Sequence, residues 1–295
     1  MKLYLPITCL FLLFAGSVNH VFPQKAKKNK SQMVLIPGAT FEMGTDAADI
    51  PKLQEIFKIK RAEMFGEETP RHKVKIDSFY LDKYEVTNAD FKKFLDKNSA
   101  WQKDKIPAEF HNGKYLQLWS ENEFPKAIEK NPVVFVSWYA AVAFCQSQGK
   151  RLPTEAEWEF AARGGLSNKA FPWGDEAADK TRANFSASEI GAATAVGSYP
   201  ANGYGLFDMA GNVWEFLADE WQKYPVNIEL QVNPVAGGDF FLKDSFRQVK
   251  TRRVIRGGSF GGVPLNMRVA FRDSHLPVNA GDHVGFRCAE NVSGA

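Results

Sequence analysis

Spare cysteines, charge of one sign and long hydrophobic runs are all scarce in this chain. The apolar run over residues 3–15 is too short to cross a bilayer, which takes about 20 apolar residues. Lys2 ahead of it makes residues 1–24 read as a secretory signal peptide, cleaved either at Ala15-Gly16-Ser17 or near Pro23-Gln24. Residues 25–32 (KAKKNKSQ) then form a basic linker, and residues 33–293 one large domain or two small ones. The expected location is therefore secreted or periplasmic. Cys9 lies inside the apolar core, so a lipid anchor is not the reading taken. A net charge of +3, with part of it in the linker, is too small for a nucleic-acid surface, and no nucleic-acid motif is present.

Only three cysteines occur, and removal of the signal takes Cys9 away. Cys145 and Cys288 then face an oxidising compartment, where they either pair or stay as two buried free thiols. What the chain does have is aromatic bulk, with 24 Phe and 7 Trp, suited to a fold whose loops are held by rings.

The most structured stretch is residues 202–216, NGYGLFDMAGNVWEF. Asn202-Gly203 and Gly205 suit positive φ and predict a sharp turn. Asp208 and Glu215 flank a Gly-Asn bend, so carboxylate and carbonyl oxygens can converge. A hard cation such as Ca²⁺ wants about 6–8 such oxygens. A capped turn, its acids bonded to backbone amides, satisfies the same spacing.

Along the chain, residues 33–43 read as strand, turn, strand around Pro37-Gly38, and residues 73–81 as one central strand. Residues 46–65 read as a surface helix or ordered loop. Thr87, Ser137 and Thr154 are hydroxyl N-caps, the last with Glu157 in a capping box, and Gly149 ends the Ser137 helix. Glu155, Glu157 and Glu159 form an acidic cluster; the helix N-terminus explains at least Glu155 and Glu157, and acid–base catalysis is not the reading taken. Residues 98–130 form an irregular aromatic-rich loop of the kind that carries partners. Asn184 and Asn291 stand in glycosylation-acceptor triplets, relevant only to a eukaryotic secretory route.

The 202–216 stretch resembles the signature of the formylglycine-generating enzyme family, the sulfatase-modifying factors. Residues 33–45 (MVLIPGATFEMGT), 68–91 (ETPRHKVKIDSFYLDKYEVTNADF), 131–165 and the run from RVIRGGSF to VGFRCA match in the family's order. The resemblance implies an α+β, C-type-lectin-like variant fold with little regular structure. It also implies a Cys145–Cys288 disulfide. A calcium site is implied at Asp208, Gly211, Val213 and Glu215, and a second at Asn184 and Phe185. That second site lacks the family's later Asp, because the loop reads SASEIGAATAV; Glu189 is its only substitute. Trp214, Ser259 and Arg272 match positions lining the family's substrate groove, although each has a plain packing role open to it.

The family oxidises a cysteine in a C-x-P-x-R context with O₂, using two cysteines after Gly-Gly-Ser that bind Cu(I) as thiolates, soft ligands for a soft metal. Here Gly257-Gly258-Ser259 is followed by FGGVPLNMRVAFR. Gly261, Gly262 and Pro264 fill the region, and Met267 is its one sulfur. Copper is therefore not expected and no catalytic residue is assigned. His275 and His283, with Asp273 and Asp282, form a nearby cluster that binds a first-row metal if the loop folds back; solvated loop residues are the plainer outcome. Two functions stay open. One is a calcium-stabilised, non-catalytic module that binds a protein or peptide; the other is an oxidoreductase of the formylglycine-generating type.

Overall fold

The alternation around Pro37-Gly38 folds as two strands, β1 (Met33–Ile36) and β2 (Ala39–Met43), in a computed structural model that describes residues 32–226, 229–239 and 244–292. The leader, Cys9 and nearly all of the basic linker lie outside the described residues.

The single strand expected over 73–81 is instead two, β3 (His72–Ile76) and β4 (Phe79–Asp82). β1 pairs with β4 and β2 with β3, both antiparallel, so the ribbon changes sheet where Gly38 meets Asp77-Ser78. Gly38 N–H donates to Ser78 Oγ at 2.9 Å, and a Cβ on Gly38 would stand 2.9 Å from Ser78 N. Only a glycine allows that approach. The register also explains the break: one flat strand cannot keep alternate residues buried in two differently oriented sheets.

Beyond it, β10 (Ala289–Asn291) completes the sheet β1-β4-β10, and β6 (Gln231–Val232) the sheet β2-β3-β6. A third sheet has the order β8 (Arg272–His275), β7 (Arg253–Arg256), β5 (Trp214–Glu220), β9 (Val284–Gly285).

The helices begin at the predicted caps. α1 (Ile50–Phe57) lies on the surface and buries no residue. Thr87 opens α2 (Asn88–Lys97), Ser137 opens α3 (Trp138–Ser147), and Thr154 with Glu157 makes the capping box of α4 (Glu155–Arg163). Gly149 follows α3 with φ +66°. Such caps are each worth about 1 kcal/mol. Among the described residues no helix is long and apolar enough to cross a membrane.

Phe91 of α2 stacks on Phe144 of α3, Phe94 meets the same ring edge-on, and Phe286 closes the cluster. Beside them Cys145 and Cys288 form a disulfide with Cα atoms 5.7 Å apart, bridging 143 residues. The pair is therefore bonded, and the free-thiol alternative falls. Residues 98–130 turn their rings inward. Trp101, Phe110, Tyr115 and Trp119 are all buried, Tyr115 donates to the Trp101 carbonyl, and Trp119 Nε1 donates to Asn88 Oδ1. The loop is irregular because its aromatics serve the core, and those rings offer nothing to a partner.

Candidate functional site

The 202–216 stretch turns as predicted, for a partly different reason. Asn202 Nδ2 donates to the carbonyls of Ala161 and Ala162 at the end of α4, while its Oδ1 accepts from Tyr204 and Leu206 N–H. Gly205 takes φ +76°, but Gly203 is required by contact: a Cβ there would lie 2.2 Å from the Gly164 carbonyl oxygen. Further on, Asp208, Gly211 and Asn212 all adopt positive φ, from +56° to +84°. Gly211 packs against Asn184, whose carbonyl oxygen would be 2.4 Å from an added Cβ. The bend thus presses the two segments suggested for calcium against each other.

Inside the bend three carboxylates meet one guanidinium. Arg287 Nε and Nη2 each donate at 2.8 Å to the two oxygens of Glu215, and Trp158 Nε1 adds a third bond at 3.0 Å. Asp208 Oδ2 accepts from Gly197 N–H at 2.6 Å. The third acid, Glu85, was not singled out in the sequence. Its Oε1 accepts from Asn212 Nδ2 at 3.1 Å, and its Oε2 is buried without a partner. Burial first, then the charge of Asp208, pushes the Glu85 carboxyl well above its usual range. Burial likewise raises Asp208 to about 6, with Glu215 adding to the shift. The cavity is short of positive charge.

This donor chemistry fits a hard cation, with one amendment to the expected set. Glu215 already has an N–H partner on each oxygen, whereas Glu85 brings the oxygen that lacks one. Among the described residues no three His, Cys, Asp or Glu side chains form a metal site by themselves, so a cation here needs backbone carbonyls as well. The second pair fits less well. Asn184 Oδ1 accepts from Ser188 Oγ, its Nδ2 donates to the Ala192 carbonyl, and the Phe185 carbonyl accepts from Ser188. Glu189 is exposed and brings no carboxylate inward. The loop folds onto its own hydroxyl, Ser188.

The Gly-Gly-Ser run lies along the bend, with Gly211 N–H donating to the Gly257 carbonyl and Phe260 N–H to the Asn212 carbonyl. Beneath it Met267 is fully buried. A Cβ on Gly258 or Gly262 would lie 2.1 Å or 2.9 Å from the Met267 methyl. The only sulfur after Ser259 before Cys288 is therefore packing, in a cluster with Phe171, Ala183, Phe185 and Ala210.

The three groove positions do not form one surface. Glu215, Arg256 and Arg272 are cross-strand partners and share a sheet face, leaving Trp214 on the other. Arg272 is 5% exposed, forks onto both oxygens of Glu155 at 2.8 and 2.6 Å, and stacks on Tyr224 and Trp221. Trp214 is buried against Phe271, and Ser259 is buried in the loop. The acidic cluster on α4 is structural: Glu155 binds Arg272, Glu157 binds Arg151, and Glu159 binds Arg163 and Arg256. Sequence spacing gave no hint of Glu85, Asn212 or Arg287 as a unit, since their partners lie 72 to 127 residues away.

His275 and His283 do come together, with ring centres 5.6 Å apart. Asp282 holds His283 Nδ1 at 2.7 Å, but Asp273 is exposed and accepts from Ser274 N–H.

Comparison with known proteins places this architecture. The family described as "Sulfatase-modifying factor enzyme 1-like domain" matches residues 18–292. The chain is 32% identical to the formylglycine-generating enzyme of Mus musculus, over 88% of this chain and 75% of that protein. It is also 31% identical to the inactive C-alpha-formylglycine-generating enzyme 2 of Bos taurus, over 88% of each. PvdO from Pseudomonas aeruginosa shares the fold, with a TM-score of 0.64 at 23% identity over 88% of this chain and 94% of that one. Among the described residues, few helices and three small curled sheets agree with the C-type-lectin-like variant fold expected. The chain belongs to the formylglycine-generating enzyme, or sulfatase-modifying factor, family.

Proposed function

We propose that this chain is an exported, calcium-stabilised, non-catalytic member of its family that binds a protein or peptide. The carrying observation is the loop after Ser259. Gly262 and Met267 converge on one buried spot filled by a thioether methyl, and both described cysteines are in a buried disulfide. A thioether carries no charge and has no thiolate form, so it cannot serve as a Cu(I)-thiolate pair does. A relative of similar identity whose name calls it inactive supports the reading. The disulfide suits an oxidising compartment. The test is incubation with Cu(I), O₂ and a C-x-P-x-R peptide. No oxygen uptake and no formylglycine are expected above a protein-free control; turnover that survives Cys145→Ser/Cys288→Ser would establish the oxidoreductase reading instead.

Calcium is the second part of the proposal. Asp208 and Glu85 would supply carboxylate oxygens and Gly211 and Val213 carbonyls, with Glu215 held behind them by Arg287. At 100 times its dissociation constant, a ligand adds about 2.7 kcal/mol of stability. For a domain of this size that is roughly 5–10 °C in Tm. EGTA is expected to lower Tm by that amount, and Asp208→Ala to remove the response. An identical melting curve with calcium and with EGTA would sink the site.

A further inference from the structure

Residues 112–117 and the turn at 275–283 enclose a cavity of about 400 Å³ away from the carboxylate cluster. His275 and His283 line it together with Asn112, Lys114, Gln117 and Asp282. The two imidazoles stand edge to face, with ring centres 5.6 Å apart and planes at 76°. Two imidazoles sharing a tetrahedral ion, each nitrogen about 2.0–2.1 Å away, have ring centres roughly 5–6 Å apart. The observed ring-centre separation falls within that range.

Three local features point the same way. Asp282 Oδ1 accepts from His283 Nδ1 at 2.7 Å, which fixes the tautomer and leaves Nε2 with its lone pair. Trp214 N–H donates to the His283 carbonyl at 2.8 Å, anchoring that residue to β5. His275 Nδ1 is buried with no hydrogen-bond partner.

We propose that His275 and His283 form a binding site for a divalent first-row cation, of which Zn²⁺ is the probe, with the remaining coordination positions open to the cavity. No third acidic, cysteine or histidine side chain joins them among the described residues, so water or a cavity-bound molecule completes the shell. Nitrogen donors separate this site from the oxygen-lined bend.

Titration calorimetry of the full chain with zinc chloride, in excess calcium, tests the assignment. One saturable equivalent is expected, with affinity falling at least tenfold in His275→Gln and in His283→Gln. Asp282→Asn should weaken it by about tenfold, as loss of a partner behind a ligand does. His283 is 37% exposed, so its replacement leaves folding intact and decides the matter if His275→Gln does not fold. A tetrahedral Co²⁺ spectrum in the wild-type chain, lost in His283→Gln, is the matching optical signature. A folded wild-type chain that binds no zinc overturns the proposal. So does a His283→Gln chain that keeps more than a tenth of the wild-type affinity.

Discussion

Arg287→Met is expected to lower the unfolding free energy by about 3–5 kcal/mol, the usual result of stranding a buried charge. All five guanidinium donors of Arg287 are used: two on Glu215, and three on the carbonyls of Asp82, Lys83 and Phe207. The methionine would fill similar volume, so the loss reports the charge and the orphaned carbonyls rather than a cavity. It would leave Glu215, Glu85 and Asp208 buried with no cation from the chain beside them. Arg287→Met/Glu215→Leu should recover part of the loss, because the most exposed imbalance is then gone. Urea unfolding measures both. A single-mutant loss under about 1 kcal/mol would mean that the guanidinium does not hold the cluster.

That cluster also marks where reading the sequence stops. The hydroxyl caps at Thr87, Ser137 and Thr154 were legible because a cap and its helix are neighbours in the chain. The Asp208–Glu215 bend was legible for the same reason. Glu85 and Arg287 were not, since they reach the bend from distant segments, and only the fold brings them within bonding distance. The strand over 73–81 misled because alternation holds on each side of Asp77-Ser78, while the apolar phase shifts there from Val74 and Ile76 to Phe79 and Leu81, where the chain changes sheet against Gly38. Arg272 looked like a groove residue by motif position. The pleat that sets it opposite Trp214 appears only once β5, β7 and β8 are in register.

Removing the disulfide is the second large effect. Cys145→Ser/Cys288→Ser is expected to cost about 4–5 kcal/mol, since the bond closes a loop of 143 residues in the unfolded chain. Both sulfurs are buried, Cys145 in α3 beside Phe144 and Cys288 next to β10, with Cys288 N–H donating to Asp82 Oδ2 at 3.1 Å. Two hydroxyls in that apolar setting would add a desolvation cost. Cys145→Ala/Cys288→Ala separates the two contributions, and the alanine pair should be the less damaged. Guanidinium unfolding of the oxidised wild type, reduced wild type and both variants measures them. Equal midpoints for all four would remove the bond from the account of stability. At the same edge Lys150 and Asp82 pair at 2.5 Å.

α4 is buried along its whole length, yet carries Glu155, Glu157, Glu159 and Arg163. Three neighbours on one sheet row each answer a different residue of it: Glu215 takes Trp158, Arg256 takes Glu159, and Arg272 takes Glu155. A helix seated one residue out of step would carry several bare charges into apolar surroundings, each several kcal/mol uphill. Such a coded seat has no near-miss positions. The helix therefore has a single register on its finished sheet, written in charge rather than in shape.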